Sequence, residues 1–212
     1  MTAKSRMIIV MGLVLTLVGG SLPYPLWDNE FADVAHLVGN ECIYWALVIF
    51  TLTYVVFVEK RRLSSVGFRL PRVRDVLLGI AFAVATVTGL GIIYLAIFPI
   101  LHIDDGHSAE QLLTTPAWWL AISVVRAGVS EEILFRAYPI ERLYELTGNR
   151  YVAAGVPLAV FSLAHVPSWG WTHVLVAAFG GAVLTGLYVW RRNLWVNIFA
   201  HCVIDGLALA SA

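Results

Sequence analysis

Long apolar runs broken by short polar clusters dominate the pattern of the chain. A helix needs about 20 mostly apolar residues to cross the ~30 Å hydrocarbon layer of a bilayer. Seven stretches reach or approach that length: Met7–Trp27, Asn40–Val58, Val76–Leu101, Ala117–Tyr138, Tyr151–Val166, Thr172–Trp190 and Leu194–Ala210. The last three are joined by very short linkers, which predicts sequential neighbours packed side by side. No strand-like alternation with hairpin turns recurs, which argues against a β-barrel. No internal repeat or low-complexity tract is visible. The expected fold is all-α: one integral-membrane domain over residues 1–212, a bundle of about seven spanning helices. Its first stretch follows Lys4 and Arg6 as a signal peptide would. It is long for such a segment and no A-x-A site follows it, so it reads as an uncleaved helix.

The polar clusters between the runs are segregated by charge. Lys4 and Arg6 precede the first run. Lys60, Arg61, Arg62, Arg69, Arg72 and Arg74 separate the second from the third, Arg142 and Arg150 the fourth from the fifth, and Arg191 and Arg192 the sixth from the seventh. The alternate clusters hold Asp28, Asn29, Glu30 and Asp33, then His102, Asp104, Asp105, His107 and Glu110. Twelve of the 14 basic residues thus fall on one side. This predicts a cytoplasmic N-terminus, a C-terminus on the far side and a place in the cell membrane. Trp118, Trp119, Trp169, Trp171, Trp190 and Trp195 stand at expected helix ends, where amphipathic rings favour the interface.

Composition agrees with this picture. The chain is 59% hydrophobic and 13% charged, with net charge 0 and mean hydropathy +0.80. Soluble domains carry about 25% charged residues, so a disordered chain and a nucleic-acid binder are excluded and an ordinary soluble enzyme does not fit. The two cysteines, Cys42 and Cys202, lie in apolar runs and read as buried thiols.

The two basic residues outside the clusters, Arg126 and Arg136, flank Glu131 and Glu132 in the fourth run. A charge at bilayer depth costs about 2.5–3.5 kcal/mol on the lenient insertion scale, so such residues face the bundle interior and mark function. His165, Asn197, His201 and Asp205 complete the expected intramembrane polar set. Glu132 and Arg136 are i,i+4 and form a supporting ion pair. Glu131 is rotated by about 100° and is left for something else. Asn197, His201 and Asp205 form one stripe, and His165 shares a face with Phe161. Taken singly, each has an ordinary reading: Arg126 as a structural partner or snorkelling side chain, His165 as a packing residue, Asn197 as interhelical glue. Glu131, His165, His201 and Asp205 on three helices of one small bundle argue for a common purpose.

A buried carboxylate and two imidazoles suit proton transfer from water and stabilisation of an oxyanion. Glu131, His165 and His201 could alternatively hold zinc, though H-E-x-x-H spacing is absent. No G-x-S-x-G nucleophile elbow occurs. His36, His102, His107 and His173 read as solvated.

At these residues the chain resembles a known family. Glu131-Glu132-Ile-Leu-Phe-Arg136 matches E-E-x-x-x-R, Phe161-Ser-Leu-Ala-His165 matches F-x-x-x-H, and His201-Cys-Val-Ile-Asp205 matches H-x-x-x-[N/D]. In that order, on successive membrane helices, they look like the motifs of the CAAX protease and bacteriocin-processing (Abi) family of intramembrane endopeptidases, which includes the Ras-converting CAAX endopeptidases. The resemblance covers residues 117–210. It implies that Glu131, with His165, activates water, that His201 and Asp205 stabilise the oxyanion, and that Glu132 and Arg136 support the site. Asp205 stands where Asn is frequent, and an ionised Asp only accepts hydrogen bonds. A metal-free mechanism is favoured, with zinc or another divalent metal as the alternative.

The expected substrate is a membrane-associated peptide or protein, with no nucleic-acid partner. The alternatives are a non-catalytic scaffold or bacteriocin-immunity protein of the same fold, and a small proton-coupled transporter; the transporter is disfavoured because no inverted repeat is visible. One discrepancy stands. With the expected helix ends, His201 and Glu131 lie about 10 Å from the inner side but His165 about 20 Å.

Overall fold

The computed structural model describes residues 1–22, 34–104 and 116–211, and it is all-helical there. The expected outer loops with Asp28, Asn29, Glu30, Asp33, Asp105, His107 and Glu110, the continuation of the first helix to Trp27, and the His36 side chain lie outside the described residues. Helix α1 is Ala3–Ser21, capped by Thr2, whose Oγ1 accepts from the Ser5 amide. Helix α2 is Val34–Thr53 and continues through a π turn, Tyr54–Val58. A short 3-10 helix, Leu63–Val66, leads to α3, which runs Val73–Ile92, a π turn Ile93–Ile97 and Phe98–Ile100. Helix α4 is Ala117–Glu131, a π turn Glu132–Ala137 and Tyr138–Thr147. Helix α5 is Arg150–Ala164, followed by the short turn Val166–Trp169. Helices α6 and α7 are His173–Arg191 and Leu194–Ser211. Helices α1, α2, α3, α5 and α6 contain stretches long and apolar enough to cross a membrane, and α7 is a shorter apolar helix. The chain is a multi-pass membrane protein.

Two π turns have the same local cause. Pro99 and Pro139 each stand inside a long helix, where a proline ring clashes with the carbonyl four residues earlier. Those residues, Leu95 and Phe135, lie within the π turns, whose wider winding accommodates the ring without ending the helix. Sequence periodicity stops the fourth helix at Tyr138, and the structure corrects this: α4 continues to Thr147, ending at Gly148 in the left-handed conformation (φ 65°). Arg142, expected in a loop, is buried in that extension and donates to both oxygens of Glu59 at 2.6–3.0 Å. Neighbouring charges are consumed alike: Glu145 binds Arg61 (2.7 Å) and Glu141 binds Arg192. The Arg61 hydrogen bond holds the Glu145 carboxyl below the usual carboxylate range.

Helix α7 packs mainly against α3 and α4, α5 against α4 and α6, and α1 against α2, α4 and α5. The largest core joins Ile9 and Leu13 of α1 to Val48 and Val55 of α2, Ile133 and Tyr138 of α4, Tyr188 of α6 and Leu194. Two glycines permit the closest approaches. A Cβ on Gly12 would stand 1.8 Å from the Tyr138 hydroxyl, and one on Gly128 would stand 2.4 Å from Cys202 Sγ. The second contact brings α4 and α7 together one turn from Glu131. The cysteines are not buried as expected: Cys42 is exposed and Cys202 partly exposed. Trp119, near the start of α4, is buried.

Candidate active site

The polar set of the sequence lies where α4, α5 and α7 meet. Glu132 and Arg136 are both fully buried, with Arg136 Nη1 3.1 Å from Glu132 Oε1. A lone charge there would be unsustainable, and the pair is further compensated. Asn197 Nδ2 donates to Glu132 Oε2 at 3.0 Å, and also to the Leu184 carbonyl at 2.7 Å. His201 Nδ1 donates to Glu132 Oε1 at 2.8 Å. The Arg136 guanidinium lies 3.9 Å from the centre of the Phe161 ring, a cation–π contact with α5. Glu132 therefore ties α4 directly to α7, and its partner Arg136 ties α4 to α5.

This anchoring turns the other edge of His201 toward the second glutamate. Nε2 of His201 faces Glu131 Oε2 at 3.7 Å and Asp205 Oδ2 at 3.5 Å. The longer gap exceeds a direct hydrogen bond and suits one shared with a water molecule. Glu131 is 19% exposed and Asp205 32%, against 7% for His201, so both carboxylates open onto a space beside a buried ring.

His165 is placed by a different device. It terminates the first part of α5, and its Nδ1–H donates to the Phe161 carbonyl at 2.8 Å, leaving Nε2 as the free nitrogen. Its ring meets the edge of Phe161 (centroids 4.6 Å apart) and stacks nearly parallel on His173 (5.7 Å, 20°), which in turn stacks on Trp169 (5.2 Å, 23°). His165 has no hydrogen bond or ion pair with Glu131 or His201, but it lies within electrostatic reach of Asp205, as do Glu131 and Arg126. His173 is thus not the solvated residue expected from sequence.

The height discrepancy closes once α4 has its true end. Measured from the Gly148–Asn149 turn, Glu131 stands about 24 Å up α4 and His165 about 22 Å up α5. Helix α7 starts higher, because Arg192 just before it binds Glu141, about 9 Å above Thr147. His201 then lies about 20 Å up, level with the others.

Sequence reasoning missed Glu41 on α2 and Glu59 just after it. Glu41 Oε1 accepts from Arg126 Nε at 3.0 Å, and Arg126 also lies over Tyr44 (4.5 Å). Arg126 is a structural partner, as one of its two readings held. Glu41 sits within an expected spanning run, and its intramembrane charge was the available signal. As for zinc, no three His, Cys, Asp or Glu donors among the described residues are grouped to hold a metal ion. Nδ1 of His201 and Nδ1 of His165 are committed to Glu132 and Phe161, which leaves Nε2 of each ring as its outward-facing nitrogen.

Residues 113–207, which contain all three motifs, match the family described as "Type II CAAX prenyl endopeptidase Rce1-like". A Bacillus subtilis (strain 168) protein named "Putative membrane peptidase YdiL" is 29% identical over 86 residues, 41% of this chain. The chain spans about a third (34%) of that relative's length. No solved structure matches the chain. The stretch that carries Glu131–Arg136, Phe161–His165 and His201–Asp205, somewhat under half of the chain, is thus similar to the type II CAAX prenyl endopeptidase family.

Proposed function

We propose that this protein is an intramembrane endopeptidase that hydrolyses a peptide bond of a membrane-associated peptide or protein by water activation at Glu131. The observation that carries this reading is the division of labour between adjacent glutamates: Glu132 is spent on Arg136, Asn197 and His201, while Glu131 is partly open and faces the free edge of His201.

Glu131, assisted by Nε2 of His165, removes a proton from water as the oxygen bonds to the scissile carbonyl carbon. The carbonyl oxygen becomes an oxyanion beside His201. With Nδ1–H committed to Glu132, a second proton on Nε2 makes His201 a charged donor to that oxyanion. Asp205, an acceptor when ionised, stabilises the charged ring by its nearby negative charge rather than donating to the oxyanion itself. The C–N bond then breaks and the leaving amine takes the proton held by Glu131, giving a carboxylic acid and an amine. No step is assigned to a metal. The segregation of basic loops supports a cytoplasmic N-terminus and a C-terminus on the opposite side.

The test is cleavage of a panel of membrane-associated peptides by purified protein. Wild type should cleave at least one member, and Glu131→Gln, folded to the same extent, should lose roughly two orders of magnitude or more. Cleavage surviving Glu131→Gln would overturn the mechanism, and absence of Glu131-dependent cleavage across the panel would favour a non-catalytic scaffold.

A further inference from the structure

All carboxylates on the basic end of the bundle are already taken. Four stand there, and each is paired with an arginine: Glu59 with Arg142, Asp75 with Arg191, Glu141 with Arg192 and Glu145 with Arg61. This leaves Lys60, Arg62, Arg69, Arg72 and Arg74 exposed in the α2–α3 connection, with no ion pair to any described residue. Most of the surplus lies in this one loop, and no described carboxylate neutralises it.

The loop also carries an apolar tip. Leu70 is 93% exposed and Val73 78%, and they alternate with Arg69, Arg72 and Arg74 around Pro71. Leu70 lies three residues before Val73, where a helix long enough to span the membrane begins. Apolar side chains interleaved with unpaired guanidinium groups at that level match the headgroup layer, which offers phosphate oxygens and acyl chains together.

The loop is not a loose appendage. Gly67 (φ 83°) turns the chain, and its carbonyl accepts from the Leu194 amide at 2.8 Å, fastening the loop to the first residue of α7. Phe68 packs edge-on against Trp195 (5.9 Å), and Asp75 binds Arg191 just before α7. Whatever holds the loop therefore also holds the start of the helix that presents Asn197, His201 and Asp205.

We infer that the Arg69–Arg74 loop is an anionic-phospholipid binding surface that anchors the first turn of α7 at the membrane face. This does not depend on the proposed chemistry. An acidic protein partner would meet the charge but leave Leu70 and Val73 unexplained at headgroup level.

The test compares full-length protein in nanodiscs of phosphatidylcholine with and without phosphatidylglycerol. The readouts are thermal unfolding and the lipid retained in native mass spectrometry. Wild type should gain on the order of 5 °C with phosphatidylglycerol and retain bound copies of it. The gain should shrink at high salt. The variant Arg69→Gln/Arg72→Gln/Arg74→Gln/Leu70→Ser should keep the wild-type Tm in pure phosphatidylcholine, yet lose most of the gain and the bound lipid. Lys4→Gln/Arg6→Gln, on the same end but away from the loop, should keep both. Equal gains in wild type and loop variant, or no gain in either, would overturn the inference. So would the same stabilisation of wild type in pure phosphatidylcholine by a soluble acidic peptide.

Discussion

Replacing each of the adjacent glutamates by glutamine removes one charge at constant shape, and the two positions should respond in opposite ways. Glu132→Gln strands Arg136, fully buried beneath Phe161, without a counter-charge. Removing one partner of a buried pair costs about 3–5 kcal/mol. The charged acceptor for His201 Nδ1 and Asn197 Nδ2 is weakened as well. In a chain of this length about 1 kcal/mol moves Tm by roughly 2–4 °C, so the loss should be on the order of 6–20 °C. Glu131 is partly exposed, and the ring facing it is 3.7 Å away, so Glu131→Gln should stay within about 3 °C of wild type. Fluorescence-detected thermal unfolding in one detergent measures both, and the peptide assay reads activity in parallel. Replacing the whole ion pair by apolar or neutral groups is often tolerated, so Glu132→Gln/Arg136→Met should recover a substantial part of the lost stability without activity. Equal Tm losses at 131 and 132, or a double variant no more stable than Glu132→Gln, would refute the reasoning.

Three further outcomes follow from single contacts. Glu145 is held below its ordinary range in the folded chain, so its pair with Arg61 stabilises above the unfolded carboxylate pKa and is lost as pH falls through the folded value. Because both partners are about a third exposed, Glu145→Gln should cost no more than about 1 kcal/mol at pH 7, and its Tm gap to wild type should close in acid; a gap of the same size at pH 3 would contradict this. His173 keeps the His165 ring in place by stacking, so His173→Leu should lower kcat by roughly 10–100-fold with KM unchanged, while the flat ring of His173→Phe restores most of it; two equally impaired variants would show that stacking is not the cause. Finally, activity should survive chelator treatment and dialysis, and stoichiometric zinc lost together with activity and restored by adding zinc would show that a metal mechanism operates.

What the sequence disclosed and what it concealed have different physical origins. The spans were legible because bilayer thickness imposes a run length that solvent-facing segments need not meet. Glu132 and Arg136 were legible because i,i+4 spacing within a membrane helix leaves few other readings. The end of α4 was not, because Glu141, Arg142 and Glu145 have the polarity of a loop. Their partners, Arg192, Glu59 and Arg61, come from distant segments, and no local pattern announces such pairs. The same blindness made His173 look solvated, since its neighbours His165 and Trp169 reach it only through the turn after α5.

The concealed extension of α4 has a bearing on the site itself. A helix ending at Tyr138 puts Glu131 about 10 Å below His165, too far for both to address one water. The added turns of Tyr138–Thr147 raise Glu131 to the level of His165, and the Glu141–Arg192 pair sets where α7 begins, and so where His201 lies. The catalytic level proposed here is thus fixed from the charged end of the bundle, by ion pairs more than 10 Å from any reacting atom. Breaking the buried Glu59–Arg142 pair should accordingly disturb more than local stability. In Glu59→Gln the inner end of α4 loses its strongest tie to α2, and the expected result is a fall in Tm accompanied by a fall in kcat. A Glu59→Gln variant with lowered Tm but wild-type kcat below its melting range would separate the two effects and show that the rim does not set the height of the site.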